Sequence, residues 1–300
     1  MEALRSVLTR LEKEGAALGH FNVADFVLLK AVLAAGAEIG VPVLVGASEG
    51  ERDFLGTQQL AALVKSLREE SGLPVFLNAD HTHSLTKAVE AVKAGFDAVV
   101  TDFSALPFAE NVSRTKEALE AIKAINPSVL VEGEIGDIGT GSEIHDTVRN
   151  EFRNLTTPEE ARQFVASTGI DVLAPAVGNM HGMLKSMVQG QTKKRLNIER
   201  IREIKKAAGI FLTLHGGSGT DDADFRNAIA AGINIIHINT ELRVTWRRSL
   251  EESLNRQPNV VVPYKILPPV VDSVEQLVAS RLKLFSGQRT IDEMPLASSL

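Results

Sequence analysis

Eight short apolar runs, each followed by a segment with helical periodicity, constrain the fold of this chain more than any other feature. The runs are nearly continuously apolar, as in parallel strands that are covered on both faces. They lie at 18–23, 41–48, 74–81, 96–103, 128–135, 170–178, 210–217 and 233–239. Each run together with its helix makes one βα unit. Eight such units in one chain predict a closed (β/α)₈ TIM barrel in the α/β class.

The ends of the predicted helices support this pattern. Thr157 is placed to cap a helix that begins at Pro158, and Glu160 completes a capping box. Glycines stand where left-handed C-caps are needed, at Gly40, Gly72, Gly95, Gly169, Gly209 and Gly232. The alternative is a doubly wound open sheet, which usually has a glycine-rich phosphate turn after its first strand. The segment HFNVADF after the first strand is not such a turn.

The chain is predicted to form a single domain over residues 1–300, with the barrel at about 17–255. An N-terminal helix precedes the barrel, and a C-terminal helical extension follows at about 256–300. No linker, low-complexity segment or short repeat interrupts the pattern.

Composition narrows the class of function. There is no cysteine, which excludes disulfides, thiol nucleophiles and cysteine zinc sites. A net charge of −6 and an aromatic content of 5% argue against a nucleic-acid surface. No apolar block is typical of a signal peptide or of a membrane span. We therefore expect a cytoplasmic protein that acts on small molecules.

Three histidines stand at the carboxyl ends of different predicted strands, the end where TIM barrels carry their active sites: His81, His181 and His215. Three imidazoles around one point form a zinc site with an open position for substrate. By contrast, His20 in the first strand, and His83 and His145 in predicted loops, are not expected to bind metal. Other polar residues at the strand ends are Ser48, Asp80, Asp102, Ser104, Glu132, Glu134, Asn179, His237, Asn239 and Thr240.

The segment HGGSG at 215–219 predicts an anion site after the seventh strand. Gly216 and Gly217 let main-chain N–H groups approach an anion, and Ser218 adds a hydroxyl. The helix that starts near Asp221 presents its positive end there. Lys185, four residues beyond His181, is a candidate point charge for the same phosphate.

Several motifs together resemble those of the class II, zinc-dependent aldolases that act on ketose bisphosphates, the fructose- and tagatose-bisphosphate aldolases. The resemblance covers nearly the whole chain. Its motifs are NADH (78–81), TDFSALPFAEN (101–111), VEGEIGDIG (131–139), VGNMHGMLK (177–185), LHGGSG (214–219) and INTELR (238–243).

The resemblance implies a role for each site residue. His81, His181 and His215 would ligate one Zn²⁺, and Asp80 would be the acid/base on the substrate hydroxyl. Asp102 and Glu134 would belong to the inner carboxylates and to an alternative metal position. Glu143 would lie on a mobile loop and take part in proton transfer. The substrate and its phosphate would contact Ser48, Gly182, Lys185, Gly216, Gly217, Ser218, His237, Asn239 and Thr240.

The resemblance also implies a reaction and an assembly. The substrate would be a ketose 1,6-bisphosphate, cleaved reversibly to dihydroxyacetone phosphate and an aldehyde such as glyceraldehyde 3-phosphate. A sodium or potassium ion near the phosphate is usual in such enzymes. The protein would be a homodimer or a homotetramer. The identity of the sugar and of the native metal are left open.

Three positions depart from the family pattern. His237 replaces an asparagine that contacts the dihydroxyacetone phosphate half, and Asn239 replaces an aspartate. A neutral imidazole in the role of the amide is the preferred interpretation of His237, over a further metal contact or a second acid. Tyr264 replaces an arginine that reaches the distal phosphate, a charge that tyrosine cannot supply. Lys265 or Arg281, from this chain or a neighbouring subunit, is the candidate replacement. The loop GTGSEIHD is also one residue longer before Glu143 than usual.

These departures leave several functions to weigh. A zinc aldolase for a ketose phosphate without the distal phosphate is the first alternative. A metal-dependent hydrolase would use both His81 and His83 as ligands. A binding protein that has lost turnover is the third. A Schiff-base aldolase needs a buried lysine on an inner strand, and none of the eight predicted strands contains one.

Overall fold

Eight parallel strands close into a barrel, as the spacing of the apolar runs predicts. The computed structural model describes residues 2–139, 141–146 and 155–287. Its strands are β1 Leu18–Asn22, β2 Val43–Ala47, β3 Val75–Thr82, β4 Ala98–Thr101, β5 Leu130–Ile135, β6 Ile144–His145, β7 Val172–Pro175, β8 Met183–Leu184, β9 Phe211–Leu214 and β10 Ile233–Ile238. The barrel order is β1-β10-β9-β7-β5-β4-β3-β2, and β6 pairs with β8 outside it.

Helices surround the barrel and extend it at both ends of the chain. They are α1 Leu4–Glu14, α2 Phe26–Ile39, α3 Glu49–Leu55, α4 Thr57–Ser71, α5 Leu85–Ala94, α6 Phe108–Ile125, α7 Pro158–Thr168, α8 Lys185–Val188, α9 Ile198–Ala208, α10 Asp222–Ala231, α11 Thr240–Arg256, α12 Pro263–Ile266 and α13 Pro268–Phe285. The N-terminal helix and the C-terminal helices are where they were expected. The single-domain boundaries stay a prediction, and residues 288–300 of the extension lie outside the described residues. Among the described helices, none has the length and apolarity to cross a membrane.

The predicted helix ends are confirmed. Each of the six predicted C-cap glycines adopts the left-handed conformation, which a residue with a Cβ rarely adopts. The amide of Thr157 donates to Glu160 Oε2 at 2.8 Å, and the amide of Glu160 donates to Thr157 Oγ1 at 3.2 Å. These local signals could be read correctly because both partners of each contact lie within one helical turn.

Helix α1 closes the amino end of the barrel. Its apolar residues recur at the spacing of one helical face and are all buried: Leu4, Val7, Leu8 and Leu11. They join a cluster with the inward-facing residues of the strands, Leu18, Leu44, Phe76, Ala98, Leu130, Val172 and Ile235. Burying a leucine side chain of this kind contributes about 1.5–3 kcal/mol. Apolar side chains therefore fill the amino end of the barrel, and the polar residues of the site lie at its carboxyl end.

The prediction that His145 lies in a loop is wrong. His145 is in β6, where Ile144 pairs with Met183 and His145 with Leu184. The amide of Met183 also donates to the carbonyl of Glu143 at 2.9 Å. Two-residue pairing of this kind depends on a distant segment, so the local sequence does not reveal it. The pairing brings the Glu143 loop beside the segment that follows β7.

Candidate active site

A distortion at the end of β3 brings two neighbouring residues to the same cavity. Pairing between β3 and β4 shifts register between Ala79 and Thr82. His81 has a φ of 35°, the one positive φ among the described non-glycine residues. Side chains of successive strand residues normally point to opposite faces. Because of the bulge, Asp80 and His81 both line a cavity of about 250 Å³ at the carboxyl end of the barrel.

The three histidines predicted from the strand ends form one cluster. The ring of His81 lies 4.7 Å from those of both His181 and His215, measured between centroids. The Nε2 atom of His81 is 3.1 Å from Nδ1 of His215. Each of these histidines and Glu134 offers one donor atom, and all four atoms lie within 4.8 Å of one another. The side chains that the strand ends predict for one site therefore lie together.

Carboxylates orient two of the rings. His81 Nδ1 lies 2.8 Å from Asp102 Oδ2, and His215 Nε2 lies 2.6 Å from Glu132 Oε1. A ring N–H that donates to a carboxylate leaves the other ring nitrogen with its lone pair. When both rings are neutral, as metal ligands must be, those lone pairs belong to the two nitrogens that lie 3.1 Å apart. Ligands about 2.0–2.1 Å from one tetrahedral ion would be about 3.3 Å apart, so the separation suits a shared metal.

Two further atoms of the cluster lack hydrogen-bond partners in the protein. Within the described part of the chain, Glu134 Oε2 and His181 Nε2 are buried and make no hydrogen bond. A buried polar atom without a partner is costly, and a cation would satisfy both. The nitrogen and oxygen donors of the cluster thus fit a divalent transition metal such as zinc.

Opposing effects set the protonation of the carboxylates around the cluster. Burial raises the pKa of Glu134 to about 7, and the neighbouring charge of Asp102 adds to this shift. Burial also acts to raise the pKa of Asp80, but the positive charge of a protonated His81 and the contact with His237 outweigh it and hold that pKa well below its ordinary value. Asp80 is therefore an ionised carboxylate beside the cluster.

One oxygen of Asp80 is held and the other is free. The side-chain amide of Asn22 donates to Asp80 Oδ2 at 2.9 Å and also to Glu51 Oε2 at 2.8 Å. Asp80 Oδ1 lies 3.4 Å from His237 Nδ1 and has no hydrogen-bond partner among the described residues. An anchored carboxylate with one free oxygen can exchange a proton with a bound hydroxyl.

His237 lies in a stack of three imidazoles. Its ring centroid is 3.5 Å from that of His20 on one side and 4.1 Å from that of His215 on the other. His20 Nε2 is fixed by the side-chain amide of Asn78 at 3.1 Å. Burial lowers the pKa of His20 to about 4 and that of His237 well below its ordinary value, so both rings are neutral. A neutral ring is compatible both with the interpretation preferred from the sequence and with a metal contact, since His20, Asp80 and His237 offer donor atoms within 4.8 Å of one another.

The glycine-rich turn after β9 packs tightly against the segment after β7. A Cβ on Gly216, whose φ is 58°, would lie 2.3 Å from the carbonyl oxygen of Met180. Ser218 Oγ accepts hydrogen bonds from the amides of Asn239 and Glu241, each at 3.2 Å. A small cavity of about 20 Å³ runs between these segments. It is lined by Asn22, Asp80, His81, Ser142, His181, Gly182, Gly216, Ser218, His237, Asn239 and Thr240.

The other residues predicted for the site differ in whether they line the two cavities. Ser48, Asn239 and Glu143 line the 250 Å³ cavity together with Asp80 and His81. The amide of Gly217 donates to the carbonyl of His237 at 3.1 Å, so this glycine is part of the turn's framework. Lys185 lines neither cavity and forms an exposed ion pair with Asp146 at 2.5 Å.

Comparison with known proteins identifies the family. A family model described as "Fructose-bisphosphate aldolase class-II" matches residues 2–289. The chain belongs to the class II fructose-bisphosphate aldolase family. It is accordingly an aldolase, a lyase built on a TIM barrel, as its motifs indicated.

Similar proteins agree with this assignment over almost their full lengths. The fructose-bisphosphate aldolase of Geobacillus stearothermophilus is 34% identical over 288 residues, which are 95% of this chain and 96% of the relative. The fructose-bisphosphate aldolase of Staphylococcus aureus strain Mu50 is 33% identical over 286 residues, 94% of this chain and 96% of the relative. The crystal structure of the YdjI aldolase from Escherichia coli K12 superposes with a TM-score of 0.79 at 27% identity, covering 94% of this chain and 96% of that one.

Several residues of this class II aldolase site were missed by sequence reasoning. Asn22 stands at the carboxyl end of the first strand, so the same strand-end rule would have found it. Glu51 and Arg243 lie on helices; Glu51 completes a capping box with Ser48 and Arg243 ends the INTELR motif, but neither signal predicts that the two side chains pair. Arg243 Nη2 donates to Glu51 Oε1 at 2.7 Å, and its Nη1 donates to the carbonyl of Ser142 at 3.1 Å. Only the closed barrel shows that Asn22 and Arg243 line the cavities and that Glu51 accepts a hydrogen bond from each of them.

Proposed function

We propose that this aldolase reversibly cleaves a ketose 1,6-bisphosphate of the fructose or tagatose type. The products would be dihydroxyacetone phosphate and an aldehyde such as glyceraldehyde 3-phosphate. The observation that carries the proposal is that Asp80, with one oxygen free of hydrogen bonds, lines the same small cavity as the histidine cluster and the glycine-rich turn. A small phosphorylated sugar is the substrate class that such a combination suits. A cytoplasmic homodimer or homotetramer remains our expectation for the assembly.

The metal would be one Zn²⁺ held by His81, His181 and His215, with Asp102 and Glu134 as the neighbouring carboxylates. The nitrogen-rich donor set and the unpartnered Glu134 oxygen support this choice. When bound, zinc supplies a Lewis acid that polarises the ketose carbonyl.

Asp80 would act on the hydroxyl next to the bond that is cleaved. It takes the hydroxyl proton, the hydroxyl carbon becomes the aldehyde carbon, and the electron pair of the broken C–C bond passes to the ketone half. Glu143, whose loop lines the same cavity, would give a proton to the carbon of the ketone half that had carried the broken bond. Asn22 keeps the Asp80 carboxylate oriented throughout. In synthesis the proton transfers run in reverse.

The phosphate on the ketone half would lie against Gly182, Gly216, Gly217, Ser218 and Thr240. The close approach of the two segments at Gly216 supports this placement. His237 and Asn239 line the same space and would contact the sugar. Lys185 would join the phosphate by leaving its exposed pair with Asp146.

The far end of the substrate would lie near Ser48 and Arg243, on the other side of Asp80. Arg243 is the one lysine or arginine that lines the 250 Å³ cavity within the described residues. Tyr264 is 76% exposed on α12, and Arg281 is paired with Glu241 at 2.9 Å and with Asp222 at 2.8 Å. Arg243 is therefore a better candidate than Arg281 for contact with a distal phosphate within one chain.

A zinc aldolase for a ketose monophosphate is the second candidate. It is favoured by the pairing of Arg243 with Glu51, which reduces the charge available to a distal phosphate. The hydrolase alternative loses support, because the donor groups that include His81 do not include His83 among the described residues.

A coupled assay for dihydroxyacetone phosphate tests the proposal. Metal-loaded protein is offered fructose 1,6-bisphosphate, tagatose 1,6-bisphosphate and fructose 1-phosphate, each with and without chelator. Chelator-sensitive release from a bisphosphate is the expected result. Release from the monophosphate alone would favour the second candidate, and no release from any of the three would refute both. Borohydride added with substrate should not inactivate the enzyme.

A further inference from the structure

Four main-chain carbonyls converge on the ammonium group of Lys194. Its Nζ lies 2.5 Å from the carbonyl oxygen of Gly216, 2.7 Å from those of Met180 and Ser218, and 3.4 Å from that of Gly182. Lys194 is fully buried. An ammonium group has three N–H donors and no acceptor, so the three short contacts match its donors.

The main chain of Lys194 is attached to the same turn. Its amide donates to the carbonyl of Gly219 at 2.7 Å, and its carbonyl accepts from the amide of Asp221 at 3.2 Å. The side chain of Lys194 therefore starts at the turn, and its ammonium group lies between two segments of the chain. One is the segment 180–182 after β7, and the other is the segment 216–218 after β9. Both contribute residues to the proposed phosphate site.

Each peptide unit that gives Lys194 a carbonyl is also held at its N–H. The amides of His181, Met183 and Gly217 donate to the carbonyls of Ile138, Glu143 and His237 at 2.9, 2.9 and 3.1 Å. The amide of Gly219 donates to Glu241 Oε1 at 2.7 Å. Since both ends of these planar units are fixed, the cage around the ammonium is rigid.

A cage of carbonyl oxygens is the environment in which proteins replace the hydration shell of a monovalent cation. Carbonyl dipoles directed at one point favour any positive charge placed there and offset the loss of its hydration. In this chain the ammonium group of Lys194, a cation that is part of the protein, occupies this point. The positive charge lies directly under the segments that would contact a phosphate dianion.

We propose that Lys194 is a built-in monovalent cation that takes the place of a bound sodium or potassium ion. Its ammonium group holds the two segments at the spacing that a phosphate requires, and the enzyme needs no added monovalent cation. This inference rests on the proposed function only in taking Gly182, Gly216 and Ser218 as phosphate contacts. Lys194 is a positioning residue, because its ammonium group contacts protein carbonyls rather than substrate.

The first test measures the ion dependence of the wild-type holoenzyme. Cleavage of the preferred ketose phosphate is followed in choline, sodium, potassium and ammonium chloride at equal ionic strength. Equal rates in all four salts are expected. Activation by sodium or potassium over choline of about tenfold or more, the scale of one charged contact, would overturn the proposal.

The second test removes the ammonium group in two ways. Lys194→Ala leaves the cage open, and Lys194→Met fills the stem of the side chain without charge. In choline we expect kcat/KM for Lys194→Ala to fall by about 10- to 100-fold, mainly through KM. Ammonium or potassium should restore much of this loss in Lys194→Ala and none of it in Lys194→Met. The neighbouring exposed Lys193→Ala is the matched control and should behave as wild type.

Thermal unfolding in the same four salts separates this inference from the proposed function. Lys194→Ala should be stabilised by ammonium or potassium relative to choline, whereas wild type and Lys194→Met should not. This readout holds even if wild type cleaves none of the sugars, an outcome that would refute the proposed function. A Lys194→Ala protein that is neither stabilised nor reactivated by any of the cations, or that folds in none of the salts, would refute the role of Lys194.

Discussion

At the residue scale, Asp80 and the histidines carry different parts of the same site. Asp80 is anchored through one oxygen by Asn22 and presents the other towards the cavity. His181 contributes a buried nitrogen that has no protein partner among the described residues. Proton transfer and metal binding should therefore be separable by mutation.

Asp80→Asn should abolish turnover and keep the metal. The amide retains the shape and the contact with Asn22 but cannot take a proton, so kcat should fall by about 10²- to 10⁴-fold. His181→Ala should lose metal and activity together. Metal content by elemental analysis, measured beside kcat, checks both variants. Normal turnover in Asp80→Asn would remove Asp80 as the base.

Arg243→Gln should raise KM for ketose bisphosphates more than KM for ketose monophosphates. Loss of a charged hydrogen bond to a distal phosphate should raise KM for fructose 1,6-bisphosphate by about 10- to 100-fold and leave KM for fructose 1-phosphate within a few-fold. Arg256→Gln, at the end of α11, is the control, since Arg256 pairs with Glu252 and lines neither the 250 Å³ cavity nor the adjoining 600 Å³ cavity at Arg243. Equal losses on both substrates would instead indicate that Arg243 only holds the loop at Ser142.

At the element scale, the two ends of the barrel have separate tasks. The apolar face of α1 seals the amino end, and the bulge in β3 turns Asp80 and His81 into the carboxyl end. The register shift and the positive φ of His81 cannot be read from an apolar run. Neither can the pairing of β6 with β8, which sets the Glu143 loop against Gly182.

Leu8→Ala should therefore lower the free energy of unfolding and leave kcat unchanged. Leu8 is fully buried, and its truncation should leave a cavity that costs about 2–5 kcal/mol of unfolding free energy. Urea denaturation measures the loss. Thr9→Ala, on the same helix, is the control, and kcat of folded Leu8→Ala at low temperature should match wild type. A loss of bound metal would mean that the two ends are not independent.

At the scale of the whole molecule, the proposed metal would link three strands that are distant in the sequence. Its proposed ligands come from the ends of β3, from the segment after β7 and from the segment after β9. A ligand that binds only the folded state stabilises it by mass action.

Removal of metal should consequently lower the thermal unfolding temperature of the whole domain. An excess of zinc at about 100 times its Kd would add about 2.7 kcal/mol of unfolding free energy. Calorimetry of chelated and zinc-reloaded protein measures the difference, and Asp80→Asn should show the same difference as wild type. An unchanged transition after verified metal removal would contradict the assignment of the ligands.

The barrel, the helix caps, the meeting of the three histidines and the glycine-rich turn could all be predicted from the amino-acid sequence. Each depends on periodicity, on neighbours within a turn, or on the rule that parallel strands end at one edge. Other contacts follow only from the folded chain: those of Asn22 with Asp80, of Arg243 with Glu51, of His20 with His237, and the carbonyl cage around Lys194. These partners are far apart in the chain, and closure of the barrel brings them together. No local pattern encodes which of the many polar residues will meet there.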